Sequence, residues 1–478
     1  MVWTALQKYS MMFVSFIADI ILARLLTPYD YGCIGMLAIF LVIAETLIDG
    51  GFGSALIQRK KPTQKDYSTI FFWNLGMSVV LYLILFFFAP LIARFYFIPL
   101  LCPVLRVQGL ILFAYAFNIV QMNQLKKRLQ FKTVAVVHIV SSLIALGITI
   151  AMAYNGMGVW SLVARHLVAA IITSLILWFY VKWRPTLVYS WSSFRELFGF
   201  GFYMFLSHLV TRISTSVQGL LIGKIYNPSM MGLYTKAEAT EGLVARSLSN
   251  VMDQVTYPLY AQVQDNIATL QNMVKRLTMT VSYIMFPTLF VLILIAKPLF
   301  LLLYSEKWLP CVPYFQMLCI AGLGTCLQSV NFQTVSAIGE SKVTFVWTFV
   351  KRAVGIGFIV GGLYFWGMKG LLCGAVLNQW FAYFVNIGLV SKHIGYKWWR
   401  QLLDLSPVLV ASVASAALSY FCGQLMNLGI YLDGIVKLLM FVFIYLCWSF
   451  LFKPEAFVYS RGIVQPMIAK IVKHNNKF

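Results

Sequence analysis

The sequence predicts an all-α polytopic membrane protein. About fourteen transmembrane helices form two parallel six-helix lobes around a central cavity, with two further helices at the C-terminus. Three observations lead there. Apolar runs of helix length follow one another along the chain. Basic residues gather in alternate loops. A pattern of punctuation residues recurs about 200 positions apart.

Composition sets the class. Of 478 residues 60% are hydrophobic and only 11% charged, with a mean hydropathy of +0.81. A soluble domain carries about a quarter of its residues as charges. Runs long enough to cross a bilayer argue for helical spans, and the short alternating segments of a transmembrane barrel are missing. The net charge of +22 fits retention of basic loops at the cytoplasmic face, so no nucleic-acid partner is implied. The eight cysteines are scattered, with no C-x-x-C pair, and read as small apolar helix residues. No metal, cofactor or catalytic motif appears: H-E-x-x-H, G-x-S-x-G and P-loop patterns are absent.

The helices follow in order, at 3–26, 32–57, 67–94, 103–124, 131–154, 158–181, 198–223, 229–258, 268–296, 308–337, 342–366, 369–391, 401–424 and 430–452. The first is an apolar run interrupted by Asp19 and closed by Arg24 ahead of Pro28. The second contains Glu45 and Asp49 and ends before the basic loop that starts at Arg59. Helices three to five are apolar runs between Lys- and Arg-rich or Gly-rich turns, and the sixth is an apolar run that carries Arg165 and His166. The seventh and eighth are again broken by charge, with His208 and Arg212 on one and Lys236 to Asp253 on the other. The remaining six return to long apolar runs.

Loop charge fixes the orientation. The loops at 58–66, 124–132, 182–195, 263–276, 339–352 and 391–400, with the tail from Lys453, hold 24 Lys and Arg residues; the loops between them hold six. Both termini are then cytoplasmic. The tail, 454–478, could lie in the membrane interface as a basic amphipathic segment.

The repeat is the most specific signal. "ARLLTPYDYGCIG" begins at Ala23, and "GKIYNPSMMGLYT" begins at Gly223. Arg24 pairs with Lys224, Pro28 with Pro228 and Gly32 with Gly232. "IVQMN" at 119–123 has the character of "SVNFQ" at 329–333, and "YNGMGVW" at 154–160 resembles "FWGMKGL" at 365–371. Six helices per copy is even, so the copies share one orientation and are related by an axis along the membrane normal. The divisions follow: an N-lobe at 1–185, a C-lobe at 186–395, two extra helices at 396–453 and the tail.

Charge inside the spans points to function. Ten or so ionisable side chains facing lipid would cost roughly 30 kcal/mol at about 3 kcal/mol each, more than a domain's stability. They must face water or one another. Glu45 and Asp49 share a helix face, as do His208 and Arg212, and Arg246 and Asp253. The charges concentrate in the first hairpin of each repeat, which predicts a hydrated cavity there. Guanidiniums in such a cavity suit phosphate. The candidate substrate contacts are Arg24, Arg212, Lys236 and Arg246; the candidate ion-pair or coupling residues are Glu45, Asp49, Glu241 and Asp253. The acids could carry a coupling ion, H+ or Na+. The polar faces at Ser207, Thr211 and Gln218 would line a path for sugars.

Several stretches together resemble a known family. "ILARLLTPYDYGCIGMLAIF", "GFGSALIQRKKPTQKDYSTIFFWNL", "LKKRLQFK", "GVWSLVAR", "WRPTL", "IGKIYNPSMMGLYTKAEA" and "VTYPLYAQVQD" look like the polysaccharide-transport branch of the multidrug/oligosaccharidyl-lipid/polysaccharide (MOP) exporter superfamily, the Wzx-type flippases. The resemblance runs from about Trp3 to Lys392. It implies two six-helix lobes with extra C-terminal helices, and no enzymatic activity. It also implies a substrate, an oligosaccharide on an undecaprenyl diphosphate carrier, moved across a bacterial inner membrane, with a polysaccharide polymerase and chain-length machinery as partners. The chain begins almost inside its first helix, without the short basic lead usual in such proteins, and an upstream start is one reading of that. A cation-coupled multidrug exporter of the same fold would want a more acidic cavity. A membrane polymerase would want a large soluble loop.

Overall fold

In a computed structural model the described residues are 2–338, 341–426 and 428–459. Among these, the side chains of 2–11, 200, 250, 251, 253–255, 257, 258, 341, 342, 344 and 345 are left aside. The tail beyond residue 459, and with it most of the expected amphipathic segment, lies outside the described residues.

The described chain is helical throughout, with no strand. The elements are α1 (Val2–Leu25), α2 (Pro28–Asp49), α3 (Phe52–Gln58), α4 (Gln64–Tyr96), α5 (Leu101–Gln108), α6 (Ile111–Lys127), α7 (Phe131–Tyr154), α8 (Val159–Tyr180), α9 (Trp191–Ile225), α10 (Pro228–Gln262), α11 (Ile267–Leu294), α12 (Ala296–Leu303), α13 (Val312–Ala337), α14 (Ser341–Ile394), α15 (Trp398–Met426) and α16 (Ile430–Phe452). A short 3₁₀ turn, Glu306–Cys311, precedes α13. Ten helical stretches among the described residues are long and apolar enough to cross a membrane. The protein is therefore a multi-pass membrane protein. The helices α1, α9 and α10 are not among the ten; α9 and α10 carry the charges that the sequence placed in the hairpins. One stretch, Val346–Ile394, contains a break at Trp366 and Gly367, where the backbone leaves helical geometry.

The repeated punctuation has a local physical cause. At the start of α2, Thr27 and Asp30 form a reciprocal capping box: the Thr27 N–H donates to the Asp30 carboxylate at 2.9 Å, and the Asp30 N–H donates to the Thr27 hydroxyl. Pro28 occupies the first helical position, where no N–H is needed. At the start of α10 the same job falls to Asn227, whose side chain accepts the Met230 N–H at 2.8 Å ahead of Pro228. The later echo is also structural. Gly156 and Gly367, 211 positions apart, both take positive φ, 74° and 60°, at the turns that end one helix and begin another.

By packing, the chain divides into two compact units, 1–235 and 236–478. This is a division of contacts, whereas 1–185 and 186–395 is a division of sequence repeats. The difference lies in α9, which packs on α2, α3 and α4 within the first unit. That packing is visible as a cluster of Phe52, Leu56, Phe71, Val120, Phe194 and Leu197. A second cluster, Leu22, Leu26, Ala153 and Leu162, joins α1 to α7 and α8. In the second unit, Phe441 and Tyr445 of α16 pack with Ala411 of α15 and Tyr283 of α11, and the Tyr283 hydroxyl donates to Ser449 at 2.8 Å.

Candidate functional site

Two acids and two bases meet in the first unit. Glu45 and Asp49 lie one turn apart on α2; His208 and Arg212 lie one turn apart on α9, which packs against it. The charge of Arg212 bears on Glu45, and those of His208 and Lys126 bear on Asp49. Both acids are partly buried, while His208 and Arg212 are exposed. Tyr115 of α6 lies within electrostatic reach of Glu45, Asp49 and Arg212. The sequence paired the residues within each helix; the packing of α9 on α2 brings the two pairs within electrostatic reach of each other.

Asp49 also has a second task. Its carboxylate accepts the backbone N–H groups of Gly51 and Gly53. These are donors that a new helix leaves unsatisfied, so Asp49 ends α2 and caps α3. The break itself needs glycine. Gly50 and Gly51 take φ of 52° and 78°, and a Cβ on Gly51 would fall on the backbone of Gly201 in α9. The close approach of α9 to the break thus depends on these positions.

A second close approach joins the two repeats. A Cβ on Gly32 would collide with the carbonyl of Pro228, and a Cβ on Gly232 with the carbonyl of Pro28. Each repeat's glycine receives the other repeat's proline carbonyl. The helix N-termini of α2 and α10 cross here with only hydrogen between them, and Cys33 beside the crossing is fully buried. Nearby on α9, Gln218 accepts a hydrogen bond from the Tyr234 hydroxyl. Higher up the same helix, Thr211 donates to the carbonyl of Ser207 at 2.9 Å.

In the second unit α10 carries its own cluster. Arg246 pairs with Glu238 at 2.8 Å, and both act on Glu241. Glu241 is buried, its Oε1 set over Gly322 of α13. Lys236 is enclosed: it is 2% exposed, with its ammonium 4.7 Å from the Tyr304 ring and 5.1 Å from the Trp308 ring. Arg24 ends α1 and is exposed. The side chain of Asp253 lies outside the described residues. Asp19, by contrast, stays within its own unit, 4.0 Å from Arg165 and 3.3 Å from the Tyr31 hydroxyl. Among the described residues no cluster of His, Cys, Asp and Glu is arranged to hold a metal ion.

Sequence reasoning missed Tyr115 and counted Lys126 only as a loop charge. A signal existed: they are eleven residues apart, three turns of helix, and so share a face of α6.

The chain was compared with known proteins. The family described as "Polysaccharide biosynthesis protein" matches residues 21–313. The teichuronic acid biosynthesis protein TuaB of Bacillus subtilis (strain 168) is 24% identical over 347 residues, 72% of this chain and 72% of TuaB. The lipopolysaccharide biosynthesis protein WzxC of Escherichia coli (strain K12) is 23% identical over 432 residues, 88% of this chain and 86% of WzxC. Among solved structures, the lipid II flippase MurJ in an inward closed conformation aligns with a TM-score of 0.73 at 14% identity, over 95% of this chain and 99% of MurJ. An inward-facing multidrug resistance transporter of the MATE family, in the MOP superfamily, aligns at 0.65 with 18% identity, over 80% of this chain and 94% of that one. These likenesses show that the chain shares the all-helical fold of both structures.

Proposed function

We propose a function from one premise: the chain belongs to the polysaccharide biosynthesis protein family. It is a flippase, not an enzyme. It moves undecaprenyl-diphosphate-linked oligosaccharide units, precursors of O-antigen, capsule or exopolysaccharide, across the bacterial inner membrane by alternating access. The spans number fourteen, with both termini cytoplasmic, and the repeats at 1–185 and 186–395 act as its two lobes. The names of WzxC, TuaB and MurJ support the class of substrate.

The observation that carries this reading is the facing of Glu45 and Asp49 by Arg212 and His208 within a membrane protein. A charge left unpaired there costs about 3 kcal/mol. The acids neutralise the bases while the site is empty. An arriving diphosphate competes for Arg212, which can hold phosphate oxygens in pairs. The displaced acids then take up a proton or Na+, or turn to His208 and Lys126. Arg246 repeats this logic with Glu238 and Glu241, and Asp253 is assigned to the same acid set. Arg24 guides the diphosphate at the end of α1. Lys236, held in its aromatic enclosure, contributes a fixed positive potential. Ser207, Thr211 and Gln218 line the sugar path on α9. The crossing of Gly32 with Pro228 and of Gly232 with Pro28 seals the periplasmic end. A polymerase and chain-length machinery receive the product.

Deleting the gene in its own bacterium tests the reading. The account expects loss of one surface polysaccharide and accumulation of its lipid-linked unit, and Arg212→Ala should reproduce both while the protein still inserts. Normal surface polysaccharide in the deletion strain, without accumulation, would contradict it.

A further inference from the structure

On the first unit α6 and α8 leave an open groove of about 480 Å³. Its walls are Phe113, Ala114 and Phe117 of α6 and Ile171, Leu175 and Trp178 of α8. The polar groups beneath are already satisfied. Ser174 donates to the carbonyl of Ala114 at 2.8 Å and accepts from Asn118 at 3.3 Å, and the Trp178 indole N–H donates to the carbonyl of Phe117 at 2.9 Å. The groove therefore offers a guest no hydrogen bond and accepts hydrocarbon. On α8 it runs from Leu167 to Trp178, about 16 Å of helix. That is close to half of a hydrocarbon core roughly 30 Å thick, the depth of one leaflet.

One end of the groove is charged. The Arg184 guanidinium lies 5.0 Å from the centre of the Trp178 ring. It is held there by the carbonyls of Val181, Trp183 and Trp178 at 2.8, 2.8 and 2.5 Å. Its backbone is held too, since Gln64 donates to the Arg184 carbonyl at 2.7 Å while accepting from the Trp183 indole at 2.6 Å. Three of the five guanidinium N–H groups are used, leaving two for a ligand. No carboxylate among the described residues pairs with Arg184, unlike Arg59, which has both Asp66 and Glu196. Two tryptophans at this end mark the level of lipid headgroups.

We infer that this groove binds one acyl chain of an anionic phospholipid, with the phosphate on Arg184. The two features belong together: a hydrocarbon slot as deep as one leaflet, and at its interfacial end an oriented, unpaired cation. The polyprenyl tail of a flippase substrate is much longer than the slot, which favours a phospholipid as the occupant. The groove and its cation stand without the transport reading; only the comparison with a polyprenyl tail rests on it.

The full-length protein in lipid nanodiscs tests it by fluorescence quenching. The probes are phosphatidylglycerol and phosphatidylcholine with dibrominated chains, at equal mole fraction. Trp178 is isolated from the other twelve tryptophans by subtracting a Trp178→Phe variant. Brominated phosphatidylglycerol should quench Trp178 at about fivefold lower mole fraction, the preference one basic residue near an anionic surface provides. Arg184→Gln should abolish that preference and Arg184→Lys should keep most of it. Leu175→Phe, which fills an exposed part of the groove without adding a tryptophan, should weaken quenching by both lipids. Equal quenching of the unaltered protein by the two lipids would overturn the proposal, leaving ordinary lipid contact. So would displacement of brominated phosphatidylglycerol by equimolar polyprenyl phosphate, which would hand the groove to the substrate tail.

Discussion

Replacing Gly32 with alanine puts a methyl group where the backbone of Pro228 already is. All three nearest atoms to that methyl are backbone atoms of Pro228, so no side chain can swing aside. The α2 and α10 N-termini must part. Overpacking of this kind costs about 1–3 kcal/mol. At about 1.4 kcal/mol per tenfold, that shifts an equilibrium between sealed and parted arrangements by roughly five- to 150-fold. A state held at about 3% would then rise to between roughly 13% and 80%. Gly232→Ala should do the same through Pro28, and the double variant should fall short of the sum, because one crossing is being opened twice. Cys33 supplies the assay. It is fully buried beside Gly32, so it should resist an impermeant thiol reagent in the unaltered protein. With the other seven cysteines replaced, Cys33 in either alanine variant should become labelled from outside intact cells, and export should fall while membrane insertion persists. An unlabelled Cys33 and unchanged export in both variants would refute the idea that this crossing is a seal.

Further outcomes follow from the charges and the loops. Asp49→Asn keeps an oxygen to cap α3 but removes the charge that faces His208 and Lys126; the protein should fold and export should drop sharply. Asp49→Ala should lose the cap as well, about 1 kcal/mol, read as reduced thermal stability in detergent. Equal stability and export in both variants would remove both roles. In a background without native cysteines, cysteine at the exposed position Asn155 should be labelled from outside, and cysteine at the exposed position Lys60 should be shielded; the reverse pattern would invert the topology.

What could be read from the chain depended on whether the cause was local. The hairpin punctuation was legible because capping and the helix-starting proline act within four residues: Thr27 to Asp30, and Asn227 to Met230. The shared faces of Glu45 with Asp49 and of His208 with Arg212 followed from helical periodicity alone. Their meeting is tertiary, and periodicity cannot say which helix packs on which. The break after Asp49 was hidden inside a continuous apolar run, and only the paired glycines hinted at it. Lys236 looked like a cavity base because its sequence neighbours are charged; its enclosure comes from Tyr304 and Trp308, more than sixty residues away. Lys351, counted among loop charges, is buried well inside α14, where it donates to Asn386 at 2.8 Å. A lysine near a basic turn gives no sign of a distant asparagine.

The most direct measurement of the central claim uses purified protein in liposomes. The probe is an undecaprenyl-diphosphate-linked oligosaccharide whose sugar carries a dithionite-reducible fluorophore. Dithionite added outside bleaches only the outer leaflet unless the lipid is moved across. With the unaltered protein, bleaching should proceed to near completion, and with Arg212→Ala, which leaves Glu45 without its charge partner, it should stop at the outer-leaflet fraction. Bleaching that stops at the outer-leaflet fraction with both proteins, when both are folded and inserted, would contradict the account.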